Sequence, residues 1–238
     1  MLYKNILLLS FLCTLLYTVQ IRSQATMGFQ LGLNTSALSG YKDYDENKLR
    51  FGISAYGFTD IPLGKNSIVS LETGLALSPQ GMRHEKTVDG TAATDIIKVK
   101  NKLNYVVLPI YLKENFNNFY TKIGPYGAYL INVSSKQTIQ HMQGTQLISE
   151  EENTDESFEN NTNPYDLGVS FGFGFIHFFE PGPGYYKRRG RKKTTPVLQV
   201  DFRYNLGLTS IDASGVDPGM NLRNHTFTIG LSITSIRN

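Results

Sequence analysis

The sequence predicts an all-β fold, an eight-stranded antiparallel transmembrane β-barrel of the outer-membrane type, and three observations carry that expectation. Apolar side chains alternate with period two along eight stretches, each stretch is long enough to cross a bilayer, and the connections between them alternate between short and long. No part of residues 26–238 sustains an apolar period of 3.6 over three turns, so helices are not expected there. The 238-residue length suits one large barrel domain.

Residues 1–25 read as a secretory signal peptide that precedes a barrel domain at 26–238. Lys4 supplies the charged start, ILLLSFLCTLLYTV the apolar run, and Ser23-Gln24-Ala25 the small-residue exit. The apolar run from Ile6 to Val19 is shorter than the roughly 18–20 residues of a spanning helix. Cys13, the single cysteine, lies inside it, so cleavage leaves a cysteine-free exported chain that no disulfide staples. Removal of 1–25 takes Lys4 and Arg22 and no acid, leaving 21 cations against 20 acids. Six of those cations sit in 187–193, whereas a basic nucleic-acid domain would spread its cations over a face and not confine them to one loop.

The strands follow in order at 27–39, 49–60, 67–78, 103–114, 119–134, 165–178, 197–209 and 225–236. In the first, Met27, Phe29, Leu31 and Leu33 alternate with Gly28, Gln30, Gly32 and Asn34. In the seventh, Leu198, Val200, Phe202, Tyr204, Leu206 and Leu208 alternate with Gln199, Asp201, Arg203, Asn205 and Gly207. A tilted strand needs roughly 9–11 residues to cross hydrocarbon, and each stretch reaches that length. Strands two and three are joined by IPLGKN and strands four and five by ENFNN, whereas 79–102, 135–164 and 210–224 form long polar connections. Short turns on one rim and long loops on the other are the pattern of an outer-membrane barrel with periplasmic turns.

Hydrocarbon cannot hydrate an open sheet edge, so the ring must close and turn its apolar face outward. The opposite parity then places Arg50, Glu72, Lys122, Asp166, Asp201 and Arg203 in the lumen, with Tyr105, Tyr111, Tyr120 and Tyr126. Three cations against three carboxylates in a ring of eight strands imply a plugged, paired interior, with a gated polar path as the alternative. A soluble ligand-carrying barrel would turn the same faces the other way, but Gly28, Gly32, Gly168, Gly172 and Gly174 suit a crowded lumen better than a wet surface. Pro109 and Pro125 fall inside the fourth and fifth strands and are expected to mark bulges.

Two charged segments remain. Glu150, Glu151, Glu152, Asp155, Glu156 and Glu159 form an acidic extracellular loop suited to cations or a protein partner. Lys187, Arg188, Arg189, Arg191, Lys192 and Lys193 form a basic turn between strands six and seven, on the periplasmic rim. No aromatic is interleaved among these six cations to stack a base, so a nucleic-acid partner is not expected; anionic lipid or an acidic protein is the alternative to a solvated turn. His84 and His141 fall in long connections, and His177 and His225 on the outward parity, so a barrel-embedded hydrolase ranks below a binding protein or a small channel. No metal-binding or phosphate-loop motif appears, and no cofactor is expected.

The segments LETGLALSPQGMR at 71–83, LNYVVLPIYLK at 103–113, IGPYGAYL at 123–130 and YDLGVSFGFGF at 165–175 resemble the PorT-like outer-membrane β-barrel family of Bacteroidetes. Pro109, Gly124, Pro125 and Tyr126 match its motifs residue by residue. The resemblance implies an outer-membrane localisation and a non-enzymatic barrel of the kind loosely called porin. It also implies a relation to a family whose namesake is tied to protein export. The basic turn and the final Arg237-Asn238 depart from the family pattern.

Overall fold

A computed structural model describes residues 25–40, 46–64, 68–89, 94–143, 146–154, 158, 160–179, 194–212 and 222–237. Nine strands are formed: β1 Thr26–Ser39, β2 Glu46–Pro62, β3 Val69–Asp89, β4 Thr94–Phe116, β5 Phe119–Gln143, β6 Gln146–Thr154, β7 Tyr165–Phe178, β8 Thr194–Gly207 and β9 Arg223–Arg237. All pairings are antiparallel, and β4–β5 pairing closes the sheet through β1, β2, β3, β4, β5, β7, β8 and β9. Eight strands therefore make the ring. β6 stands outside it, paired with the distal part of β5 from Lys136 to Gln143, while β7 pairs with the proximal part from Phe119 to Tyr129. The proposed signal peptide at 1–25 lies almost wholly outside the described residues.

The side chains sort as period two requires. Phe29, Leu31, Leu33, Phe51, Ile53, Leu75, Leu77, Leu112, Ile123, Leu167, Phe171, Leu231 and Ile233 are all exposed, an amount of apolar surface suited to lipid and not to water. The alternate positions are buried and mostly polar, including Gln30, Asn34, Ser170, Gln199, Asn205, Thr228 and Ser232. Aromatic rings border the apolar belt. Phe116, Phe119, Phe175 and Phe178 lie toward the rim of short turns, and Tyr129 and Tyr165 pack 5.5 Å apart near the loop rim. Asn117, at φ 50, makes the tight β4–β5 turn, a conformation asparagine adopts more readily than most residues.

Two expectations are corrected. The long connections at 79–102 and 135–164 are largely strand: β3 and β4 continue as one hairpin, and β5 and β6 as another, beyond the apolar belt. Their polar composition concealed them: the buried inward positions there are mostly polar, Gln80, His84, Asn101 and Ser135 among them, so apolar alternation does not mark them. The expected bulges at Pro109 and Pro125 are absent. The ladder lapses between Pro109 and Leu112 but resumes in the same register, Pro109 opposite Tyr126 and Leu112 opposite Ile123. Gly124 accommodates the prolines by letting β4 come close: a Cβ on it would sit 1.8 Å from the Ile110 carbonyl oxygen.

The bulges lie elsewhere. Register shifts between Leu49 and Ala55 against β3, between Asn104 and Tyr105 against β5, and between His141 and Met142 against β6. The first includes Gly81 at φ 131, a backbone conformation that side chains disfavour. In the second, Asn104 opposes Asn132 and Tyr105 opposes Leu130, so Ile131 is the extra residue. Inward parity in β5 thus passes from even residues such as Lys122 to odd ones such as Ser135, both buried.

The glycine contacts make a paired prediction. Gly124→Ala is expected to lower stability by about 1–3 kcal/mol or more, because backbone must move to admit the methyl group. Gly57→Ala, where no atom lies within 4 Å of the added Cβ, is expected to be neutral. Urea midpoints of the refolded variants, followed by heat-modifiable electrophoretic mobility, check both.

Candidate functional site

The lumen is packed from the turn rim upward by charged groups and then by apolar ones. Lys122, on the inward parity of β5, donates to Glu72 Oε1 at 2.9 Å and lies 2.7 Å from Asp201 Oδ2. Lys113 donates to the other oxygen of Glu72 at 3.0 Å and to Asp60 Oδ2 at 2.9 Å. One chain of ion pairs therefore runs from Asp60 through Lys113, Glu72 and Lys122 to Asp201, drawing on β2, β4, β3, β5 and β8. Arg203 adjoins it, its guanidinium 5.1 Å from the Tyr56 ring centroid and its Nη2 3.5 Å from Gln30 Oε1. Three cations meet three carboxylates, and all except Asp60 are nine-tenths or more buried.

Tyrosines enclose the chain of charges. Tyr120 donates to Asp201 Oδ2 at 2.8 Å and Tyr56 to Glu72 Oε1 at 3.4 Å. Lys113 Nζ lies 4.3 Å from the Tyr120 ring centroid and Lys122 Nζ 4.9 Å from that of Tyr111, distances at which a ring face attracts a cation. Lumen glycines make room for these rings. A Cβ on Gly174 would meet Tyr120 at 2.4 Å, and one on Gly168 would meet Tyr126 at 2.6 Å. Such a network has a physical requirement: removing two charges from water costs several kcal/mol per ion, recovered only when every charge has close partners.

The six lumen residues read from sequence do not form one cluster. Glu72, Lys122, Asp201 and Arg203 come together, joined by Lys113 and Asp60, which the sequence reading omitted. Lys113 shares the parity of Tyr105 and Tyr111 on the same strand, so the signal was present. Asp60 likewise shares the parity of Tyr56 and Phe58. Asp166 sits apart, near the loop rim, and is held by neutral donors: Tyr126 at 3.2 Å, Thr209 at 2.9 Å and Asn224 at 3.1 Å. Arg50 is also apart, donating to the Gln80 carbonyl beside the first bulge.

Above the charges an apolar cluster joins buried neutral polar side chains such as Asn34, Gln80 and Asn101. Leu38, Met82, Leu103, Tyr105, Ile211 and Leu222 belong to one buried cluster with Tyr56 and Tyr126. Ile211, only 1% exposed, comes from the connection after β8. Its amide donates to the Leu222 carbonyl at 2.8 Å, and its carbonyl accepts from Asn163 at 2.6 Å. Two loop segments thus fold over the mouth of the ring. This cap was not legible in the sequence, because an isolated Ile in a polar loop carries no period.

Of the acidic segment, Glu150, Glu151 and Glu152 lie on β6 and are exposed, with Lys136 donating to Glu152. Asp155, Glu156 and Glu159 lie outside the described residues. So do Lys187, Arg188, Arg189, Arg191, Lys192 and Lys193, although the strands flanking them, β7 and β8, end at the turn rim with Phe178 opposite Val197. His225 faces outward at the loop rim, between Tyr204 Oη at 2.7 Å from Nδ1 and Ser39 Oγ at 2.9 Å from Nε2. Neither partner is a carboxylate. Among the described residues, no group of three His, Cys, Asp or Glu could hold a metal ion.

Comparison with protein families agrees with the ring. The family model of the outer membrane protein beta-barrel domain matches residues 20–213. Among solved structures, one similar chain is Neisserial surface protein A, at 11% identity and a TM-score of 0.39, covering 88% of this chain and 97% of that one. No curated protein matches this chain.

The two carboxylate environments predict different losses. Glu72→Ala leaves each of two buried ammonium groups with one carboxylate in place of two, Lys113 with Asp60 and Lys122 with Asp201, and is expected to cost about 3–5 kcal/mol. Asp166→Asn keeps an acceptor oxygen for its neutral donors and is expected to cost about 1–2 kcal/mol. Equilibrium unfolding in urea of both variants, in the same detergent or lipid, measures the difference.

Proposed function

We propose, since this chain belongs to the family of the outer membrane protein beta-barrel domain, that it is a closed, non-enzymatic barrel that holds binding hairpins outside the cell. One observation carries this reading: the chain of ion pairs from Asp60 to Asp201, enclosed by Tyr56, Tyr111 and Tyr120, fills the section of the lumen that a solute would have to pass. The barrel then serves as a rigid base, and the β3–β4 and β5–β6 hairpins are its working surface. Glu150, Glu151 and Glu152 on β6 offer carboxylates to a cationic partner.

In this reading the short turns face the periplasm and the hairpins the exterior, after cleavage of residues 1–25. Within the family, the Pro109, Gly124, Pro125 and Tyr126 motifs support a place among PorT-like barrels. The basic segment at 187–193 then lies on the periplasmic side, where anionic headgroups or an acidic protein would meet it.

Planar-bilayer recording on the purified protein is expected to give no stable openings of ion size; steady conductance would refute the closed lumen. Sidedness has its own test, because the single cysteine, Cys13, is lost with the signal peptide. A thiol introduced by Ser149→Cys is expected to react with a membrane-impermeant maleimide on intact cells. One introduced by Asn118→Cys is expected to react only after lysis, and the opposite pattern would reverse the topology.

A further inference from the structure

Beyond the apolar belt, the outward face of β2 to β5 turns basic in a way the closed barrel does not require. Register places Lys48 opposite Arg83, Arg83 opposite Lys100, and Lys100 opposite Lys136. Four cations thus lie in one row across four neighbouring strands. Residues directly opposite in an antiparallel pair share a face, with Cβ atoms about 4.5–5.5 Å apart, and like charges so placed repel. Lys102 adds a fifth cation on the same face, two residues nearer the belt.

The ends of the row are neutralised and its centre is not. Lys48 donates to Glu85, and Lys136 donates to Glu152. Among the described residues, no carboxylate lies within ion-pair distance of Arg83, Lys100 or Lys102. Partial burial, and then the charges of Arg83, Lys102, Arg50 and Lys136, hold the Lys100 ammonium below its ordinary value. Crowding of this kind is relieved when one multivalent anion bridges the cations, and phosphate accepts strong charge-assisted hydrogen bonds from both Arg and Lys.

The height of the row says where that anion comes from. On β4 the outward residues run Leu112, Ile110, Leu108, Val106 and then Asn104, Lys102 and Lys100. Lys102 is four residues beyond Val106, roughly 13 Å along the strand and about 10 Å in height after tilt. That is the headgroup zone, within reach of long basic side chains that extend along an apolar surface. We propose that Arg83, Lys100 and Lys102, flanked by Lys48 and Lys136, bind the phosphorylated headgroup of an outer-leaflet glycolipid. The choice of leaflet rests on the proposed topology; the cation site itself does not.

The test uses the full barrel, folded in dodecyl maltoside micelles and titrated by native mass spectrometry with diphosphoryl lipid A, dephosphorylated lipid A, or inorganic phosphate. The wild type is expected to retain the diphosphoryl lipid in preference to the dephosphorylated one. The combined variant R83Q, K100Q and K102Q is expected to bind it about a hundredfold less tightly, roughly fivefold per cation lost beside an anionic headgroup. Equal retention of the two lipids by the wild type would overturn the site. So would a combined variant within about twofold of wild type, given that per-cation effect. Inorganic phosphate displacing the lipid at equal concentration would reduce the site to one for a free anion and also overturn it. Heat-modifiable mobility confirms folding, and R83Q alone, at an exposed position, carries the test if the combined variant fails to fold. Cysteine labelling reports topology separately, so lost lipid binding with correct labelling refutes this site and not the barrel's orientation.

Discussion

A lipid-exposed sheet has no water to satisfy the peptide groups of a free edge, and the rest of this molecule follows from that constraint. Among the described residues, the β4–β5 and β1–β9 pairings leave no unpaired strand inside the apolar belt. Closure at eight strands gives a lumen only wide enough for side chains. Whatever the inward parity carries must therefore fit and cancel within that space, while the outward parity is free to be uniformly apolar.

Charge in such a lumen is tolerated where cations and carboxylates lie side by side. Glu72 is central because it uses both oxygens, one for Lys113 and one for Lys122, and so links strands that are not adjacent in the ring. Tyrosines supply what aliphatic residues could not: an apolar body to fill the section, a hydroxyl for a carboxylate, and a ring face for a lysine. Their bulk is admitted by glycines on the adjacent strand, where Gly174 and Gly168 of β7 leave the volume that Tyr120 and Tyr126 of β5 occupy. Size complementarity and charge complementarity are thus met by the same residues.

Above the belt the constraint is lifted, and the sheet behaves differently. β3, β4 and β5 run on into water, where a free edge can be hydrated, and β6 pairs with β5 without joining the ring. The Ile131 bulge lies near this boundary and turns β5 so that its upper part presents Ser135 inward and Lys136 outward. Basic residues thereby gather on the outer surface just beyond the lipid, separate from the neutral network inside.

Period-two contrast between lipid and lumen is written residue by residue, so the strand count of the ring, the order of strands, the face that meets lipid and the presence of charge inside were legible before folding. Parity also held the signal for Lys113 and Asp60. It could not reveal the upper hairpins, whose inward positions such as His84, Asn101 and Ser135 are buried yet polar and so carry no apolar alternation. It misassigned Pro109 and Pro125, since whether a proline needs a bulge depends on how closely the neighbouring strand approaches, and Gly124 settles that only once β4 and β5 are paired. The separation of Asp166 and Arg50 from Glu72, the place of Ile211 over the lumen, and the alignment of Lys48, Arg83, Lys100 and Lys136 emerge with the folded ring. Those facts depend on register between strands, which the pattern within any single strand does not contain.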